Sequence, residues 1–393
     1  MDNKLRIAHC VESYFPSKGG MPEVVKQLSE RMAAEGHDIT VLTSQNDARE
    51  SLNIHRVKII PFRISGNKVE GIKGNTEEYF SALKNGNYDV VVFFAAQQWA
   101  TDAVIDKLNE IPGKKVFVPT GFSHFHNPAY SAYYEQMKTW MKSFDKNVFL
   151  SDNYQDINFA RENGITKNML IPNGAAASEF ENIVSADFRK KMNIGKDELI
   201  ILHVGTYTGV KGHREALNIF IRSSVKNATL ILLGDKIKYL EKAYQSHYSY
   251  FTLRFKNLFR KKRIIFLETD RAQTLEAFHA ADLFLFPSNV ECSPIVLFES
   301  MASGVPFLAS PAGNTEEIIQ WTHAGWLLSG EKEKNGWVKI NIPAAIKEFE
   351  KVCADRGKLK AAGKTGRETW LKKFTWEKIA GQYLELYHQL AGR

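Results

Sequence analysis

Apolar positions along the chain fall into short unbroken runs, separated by stretches with helical spacing. Residues 5–11 (LRIAHCV) read as a buried strand, and Val24, Val25, Leu28 and Met32 share one face of a helix over 22–34. Glu35-Gly36-His37 stops that helix before a second strand, DITVLTS at 38–44. The same alternation predicts strands over 54–60, 88–94, 114–118 and 146–150, and helices over 76–84, 98–109, 128–143 and 152–163. Strands that are apolar at successive positions are covered on both faces, which implies a parallel sheet between helices.

MLIPNG (169–174) closes this half, and ASEFENIVSADFRK reads as a connector. A second series follows: strands at 198–205, 228–234, 263–268, 282–288 and 305–310, with helices over 213–224, 271–281 and 314–321. The pattern predicts an α/β protein of two Rossmann-like parallel-sheet domains facing each other across a cleft, with ligands outside the carboxyl ends of the strands. The expected division is an N-terminal domain over 1–180, completed by a C-terminal helix over 376–391, and a C-terminal domain over 181–375.

Composition narrows the class. With 393 residues, 44% hydrophobic and 24% charged, the chain is folded rather than disordered and long enough for two cores. The charged start MDNKLRIAHCV lacks a signal peptide's apolar centre, and no run is long enough to cross a bilayer. Cys10, Cys292 and Cys353 are widely spaced and odd in number, which argues against a disulfide framework or a cysteine-rich zinc site. The chain therefore reads as cytoplasmic. Its net charge of +8 is concentrated: residues 236–263 hold nine basic side chains and one acid, Glu241.

The stretch ECSPIVLFES (291–300) carries candidate chemistry. Ser293 and Pro294 read as N-cap and first residue of a helix that ends before Gly304, so its free N–H groups lie where a phosphate would bind. Glu291 precedes the helix and Glu299 lies more than a turn inside it, too far apart for an acid/base dyad. They are either unrelated charges or two grips on one ligand. Earlier in the chain, Gly19-Gly20 before Pro22 could let a phosphate approach bare backbone, or could be an ordinary strand–helix turn.

Several pieces recur in a familiar order. They are Pro16, Gly19 and Gly20 after the first strand, Ile-Pro-Asn-Gly at 171–174, HVGTYTGVKG at 203–212 and LLGD at 232–235. ADLFLFPS at 281–288, Glu-x7-Glu-Ser-Met-Ala-x-Gly-x-Pro at 291–306, Gly313 to Ile318 and Phe-x-Trp at 374–376 follow. This ordered set resembles the family 4 retaining glycosyltransferases of the GT-B fold. The resemblance implies that Glu291 contacts donor-sugar hydroxyls, Glu299 binds the nucleotide ribose, and Lys211 neutralises the leaving diphosphate. Gly19, Gly20, Gly205, Thr206, Ser293, Pro294, Ile295 and Val296 would complete the donor site. Thr206 departs from the family, where an arginine is common; Arg214 and Lys236 are the candidate replacements. The family's sugar-binding histidine aligns with Gly121, leaving His124 or His126 to serve, with His124 preferred as a catalytic residue.

The resemblance further implies metal-independent transfer with retention, no cofactor, a nucleotide-sugar donor (UDP commonest) and a saccharide or polyprenyl-linked acceptor in cell-surface glycan synthesis. The acceptor would belong to the N-terminal domain and the donor to the C-terminal one. In the basic segment, aromatic residues interleave with Arg254, Lys256, Arg260, Lys261, Lys262 and Arg263, which suits an anionic membrane surface or a polyprenyl diphosphate. Binding there would make the protein peripheral on the inner face of the cell membrane; a helix packed on its own domain explains the same pattern. Single-stranded nucleic acid also likes such a patch, but no recognition motif accompanies it and no nucleic acid is expected. The competing functions are a GT-B-fold sugar-nucleotide epimerase, and a non-catalytic binder of anionic membrane or nucleic acid.

Overall fold

The two series of apolar runs build two separate parallel sheets in a computed structural model that describes residues 4–181, 186–246 and 261–393. In the first sheet, strands Asn168–Leu170, Lys146–Phe149, Lys114–Val118, Val90–Phe94, Arg6–Cys10, Asp38–Ser44, Val57–Phe62 and Asn53–Ile54 lie side by side in that order. Neighbours are parallel except the last two, which form a hairpin. In the second, Lys262–Leu267, Ala228–Leu233, Leu199–Val204, Leu283–Phe286, Phe307–Ala309 and Gly325–Leu327 follow one another, all parallel.

Residues 1–173 and 376–393 form one compact unit and 174–375 another. Residues 174–180, assigned from the sequence to the first domain, go with the second, because Phe180 is buried in its core beside Trp370. The last helix, Trp376–Ala391, packs on the helix Gly20–Ala34, with Arg31 Nη2 2.8 Å from Glu377 Oε1. In the strand Leu199–Val204, Ile200 and Leu202 enter one apolar cluster while Leu199 and Ile201 enter another on the opposite face. That two-sided burial is why the strands lack polar alternation.

Two predicted elements change shape. The helix expected over 98–109 is a short helix, Trp99–Asp102, followed by a 3-10 helix, Ile105–Glu110. The break is at Val104 (φ −128°, ψ 0°), just after Asp102 is pinned by Lys68 N at 2.9 Å and Tyr133 OH at 2.7 Å. The strand expected over 54–60 begins at Val57, because His55 (φ 48°) and Arg56 (φ 68°) form the left-handed turn of the hairpin.

The basic segment divides. Arg254, Lys256 and Arg260 lie outside the described residues, whereas Lys261 is exposed in a turn at φ 51°. Lys262 does not belong to a membrane-facing or acceptor-facing patch, contrary to expectation. Lys262 is only 6% exposed. Its Nζ donates to Phe220 O (2.6 Å), Ser223 O (2.7 Å) and Ser223 Oγ (3.0 Å) at the end of the helix His213–Arg222. A lysine there satisfies terminal carbonyls and offsets the helix dipole. Arg263 donates to Asn193 O (2.7 Å) and Met192 O (2.8 Å). Among the described residues, no helix is long and apolar enough to cross a membrane.

Replacing Lys262 by Met should therefore lower unfolding stability by about 1–3 kcal/mol, since buried acceptors lose their donor. Urea denaturation reads this, and an unchanged midpoint would remove Lys262 from the helix cap.

Candidate active site

In the second sheet, the chain moves outward from Leu199–Val204 in one direction, then returns to its other side with Leu283–Phe286. This is a topological switch point, the edge at which ligands bind in such sheets. The loops following these two strands carry 205–212 and 287–294. They are tied by Asn289 N donating to Val210 O (2.9 Å). Gly212 has φ +77°, and a Cβ there would lie 2.1 Å from Pro287 O. Gly234 holds the neighbouring loop close in the same way, with φ +154° and Gly205 O only 1.9 Å from a notional Cβ. Side chains at either position would push the loops apart.

The packing brings together Lys211 and Glu291, 80 residues apart in sequence. Lys211 Nζ lies 2.7 Å from Glu291 Oε1, and Ser288 Oγ donates to that same oxygen at 2.7 Å. The Glu291 side chain is 10% exposed and that of Lys211 34%. An ammonium at the edge of solvent beside a sheltered carboxylate can exchange its partner for an incoming anion.

The helix of the opening motif spans Ile295–Ala302, with Pro294 as its N-cap, one residue later than expected. Pro294 is still extended (φ −71°, ψ 113°), so it precedes the helix instead of starting it. Ser293 precedes the N-cap, and its Oγ accepts from Asn314 Nδ2 at 3.2 Å. Gly304, at φ 72°, ends the helix as the left-handed residue the sequence pointed to. Ile295 and Val296 thus occupy the first helical positions, whose N–H groups have no partner within the helix.

Glu291 and Glu299 are served by different cations. Glu299, 6% exposed in its side chain, accepts from Arg271 Nη1 at 2.6 Å, and Arg271 Nη2 reaches Glu179 Oε2 at 2.6 Å. Sequence reasoning missed Arg271, Glu179 and Ser288. Ser288 stood inside a recurring motif, but nothing local joined residues 179, 271 and 299. At the position of the missing family arginine, Thr206 is exposed. Of its two candidate replacements, Arg214 is exposed and lies 3.4 Å from Tyr207 OH, and Lys236 is exposed at φ 63°. Among the described residues, no three His, Cys, Asp or Glu side chains gather into a group that could hold a metal.

A histidine braces the lysine loop from below. His213 Nε2 donates to Gly205 O at 3.0 Å, and its ring packs edge-on to His203, centroids 4.4 Å apart. Burial pushes His213 down to about 4, and burial together with His213 pushes His203 well below the usual histidine range. Both are therefore held neutral at physiological pH.

In the first unit, Gly19 (φ 145°) is the N-cap of Gly20–Ala34, and both glycines are exposed. Pro22 sits two residues into that helix, in the first turn, where a missing N–H costs nothing. Gly121 N donates to Asp156 Oδ2 at 2.9 Å. His124 is exposed and stacks on Tyr130 with centroids 4.7 Å apart; His126 is also exposed. Gln97, left-handed at φ 61°, holds this loop: its Oε1 accepts from His124 N (3.3 Å) and its Nε2 donates to Tyr134 OH (2.6 Å). Asp102 lies beneath, pushed up to about 6 by burial.

Because His213 folds in its neutral form, its stabilising contribution is complete above its ordinary value of 6.5 and is lost as pH falls towards about 4. Between about pH 7.5 and about pH 5, wild type should lose about 2 kcal/mol more stability than His213→Gln, which keeps a donor for Gly205 without titrating. Paired urea titrations check this. Equal losses would mean that His213 protonates freely in the fold.

Residues 184–369 match the family described as "Glycosyl transferases group 1". A protein of Methanocaldococcus jannaschii described as an uncharacterized glycosyltransferase is 26% identical, with 98% of each chain aligned. Among solved structures, sucrose-phosphate synthase from Thermosynechococcus elongatus superposes with a TM-score of 0.76 at 20% identity, covering 99% of this chain and 100% of that one. Anabaena HepE, solved in complex with UDP and glucose, gives 0.72 at 16% identity over 98% and 100% of the two chains. Residues 184–369 thus carry a glycosyl transferases group 1 domain, and the chain is a glycosyltransferase of the GT-B fold.

Proposed function

We propose that this glycosyltransferase takes its sugar from a UDP-sugar. It passes that sugar, with retained configuration and without a metal ion, to a saccharide or polyprenyl-linked acceptor of cell-surface glycan synthesis. The observation that carries the reading is the meeting of Lys211 and Glu291 at 2.7 Å, on the two loops of the switch point and beside the start of Ile295–Ala302.

Breaking the bond between sugar and diphosphate develops negative charge on the leaving phosphate. Lys211 and the N–H groups of Ile295 and Val296 provide positive potential there, which is stronger away from bulk water. As the diphosphate enters, Lys211 turns from Glu291 to a phosphate oxygen. Glu291, still receiving Ser288 Oγ, then accepts hydrogen bonds from sugar hydroxyls. Glu299, inside the same helix, accepts from the ribose. Retention follows if the acceptor attacks from the face the nucleotide leaves, with the departing phosphate taking the acceptor's proton. The UDP preference draws support from the UDP and glucose held by Anabaena HepE.

Calorimetry in the presence of a chelator tests the reading. UDP should bind more tightly than GDP, ADP or dTDP, and Lys211→Met should weaken it by about tenfold to a hundredfold, the range for a charge-assisted hydrogen bond. Tighter binding of another diphosphate, or binding only after a divalent ion is restored, would contradict it.

A further inference from the structure

Arg271 stands at an unfavourable place for a cation. It is the first residue of the helix Arg271–Ala280, capped by Asp270, whose side chain accepts from Gln273 N at 2.9 Å. Helix N-termini favour negative charge, so an arginine here works against the dipole of its own helix. Such a conflict between a local rule and the fold points to a role fixed by other elements.

Those elements are two. The guanidinium reaches Glu299 through Nη1 at 2.6 Å and grips Glu179 as a fork, with Nη2 at 2.6 Å and Nε at 3.3 Å. The three exposures differ in a telling way. Arg271 is 43% exposed in its side chain and Glu179 26%, but Glu299 only 6%. Arg271 thus covers a sheltered carboxylate from the solvent side. The ion pairs Lys191–Glu276 and Arg189–Asp282 of this unit join side chains that are all 23% exposed or more, whereas Glu299, like Glu291 beside Lys211, is sheltered. Phe180, on the same short helix as Glu179, lies 5.8 Å from the guanidinium carbon and restricts it further.

A carboxylate that must accept from a ribose needs a fixed orientation and a stable negative charge. Within an apolar helix, neither comes without a partner. We propose that Arg271 is a positioning residue of the nucleotide site: it holds the Glu299 carboxylate in its ribose-accepting orientation and anchors it to Glu179 on the helix Ala177–Phe180. This rests on the reading that Glu299 accepts ribose hydroxyls. It adds a requirement that the Glu-x7-Glu motif does not contain, since Arg271 and the Glu179 that anchors it both lie outside that motif. It also links the ribose site to the chain just after Gly174, where the second unit begins.

The test compares UDP with 2′,3′-dideoxy-UDP by calorimetry, so that only the ribose hydroxyls differ. Wild type should prefer UDP by about tenfold or more, the range for hydrogen bonds to a charged group. Arg271→Gln should bring that ratio close to one, and Arg271→Lys should restore most of it. The double variant Arg271→Gln/Glu179→Gln, which leaves no uncompensated Glu179, should lose the ratio equally and guards against a folding defect in the single one. An Arg271→Gln protein that binds both ligands more weakly but keeps the wild-type ratio would make Arg271 merely structural and overturn the proposal. Failure of the underlying reading looks different: wild type and Glu299→Gln would then both show no preference for UDP over its dideoxy analogue.

Discussion

Parallel pairing at the centre of the second sheet is the constraint on which the site depends. The strand Leu199–Val204 has Ala228–Leu233 on one side and Leu283–Phe286 on the other, with all three running the same way. Their following loops must therefore emerge at one edge. Because the chain order reverses across Leu199–Val204, that edge is a topological switch point, and the groups proposed to meet a ligand lie on its two loops. Gly212 and Gly234 then allow backbone to approach backbone more closely than any side chain would permit. The ion pair of Lys211 with Glu291 follows from strand order and two glycines, not from nearness in sequence.

Electrostatics at that edge are arranged in pairs. Lys211 faces Glu291, and Arg271 faces both Glu299 and Glu179. The short helix that begins after Glu291 and contains Glu299 starts at Ile295 and Val296, whose N–H groups have no partner within the helix. In the proposed reading, the cations and amides meet the diphosphate and the carboxylates meet the hydroxyls. Below, His213 is kept neutral by burial, so the brace under Gly205 adds no charge that would compete with Lys211 for an anion.

Much of this was legible in the sequence, and the reasons differ by element. Strands such as 88–94 and 282–288 showed as continuous apolar runs because both of their faces are buried. The Glu-x7-Glu block was visible because a helix start, a helix end and two acids lie within sixteen residues of chain. Its start was misplaced by one residue because Pro294 fits either side of a helix boundary, and its observed ψ of 113° puts it outside. Lys262 was misread because a charge run looks like surface. A long apolar stem let Lys262 carry its ammonium to the carbonyls of another helix, and Arg263 found two more. Arg271 left no local sign at all: its partners are 92 residues upstream and 28 downstream, so only the fold assembles them.

Hydrogen exchange at individual backbone amides, with and without UDP, tests the central claim most directly. If the switch-point loops and the helix start form the diphosphate seat, UDP should slow exchange at Ile295, Val296 and the 205–212 loop, while leaving the opposite edge of the second sheet unchanged. Tight UDP binding with no protection at Ile295 or Val296 would place the diphosphate elsewhere and contradict the account.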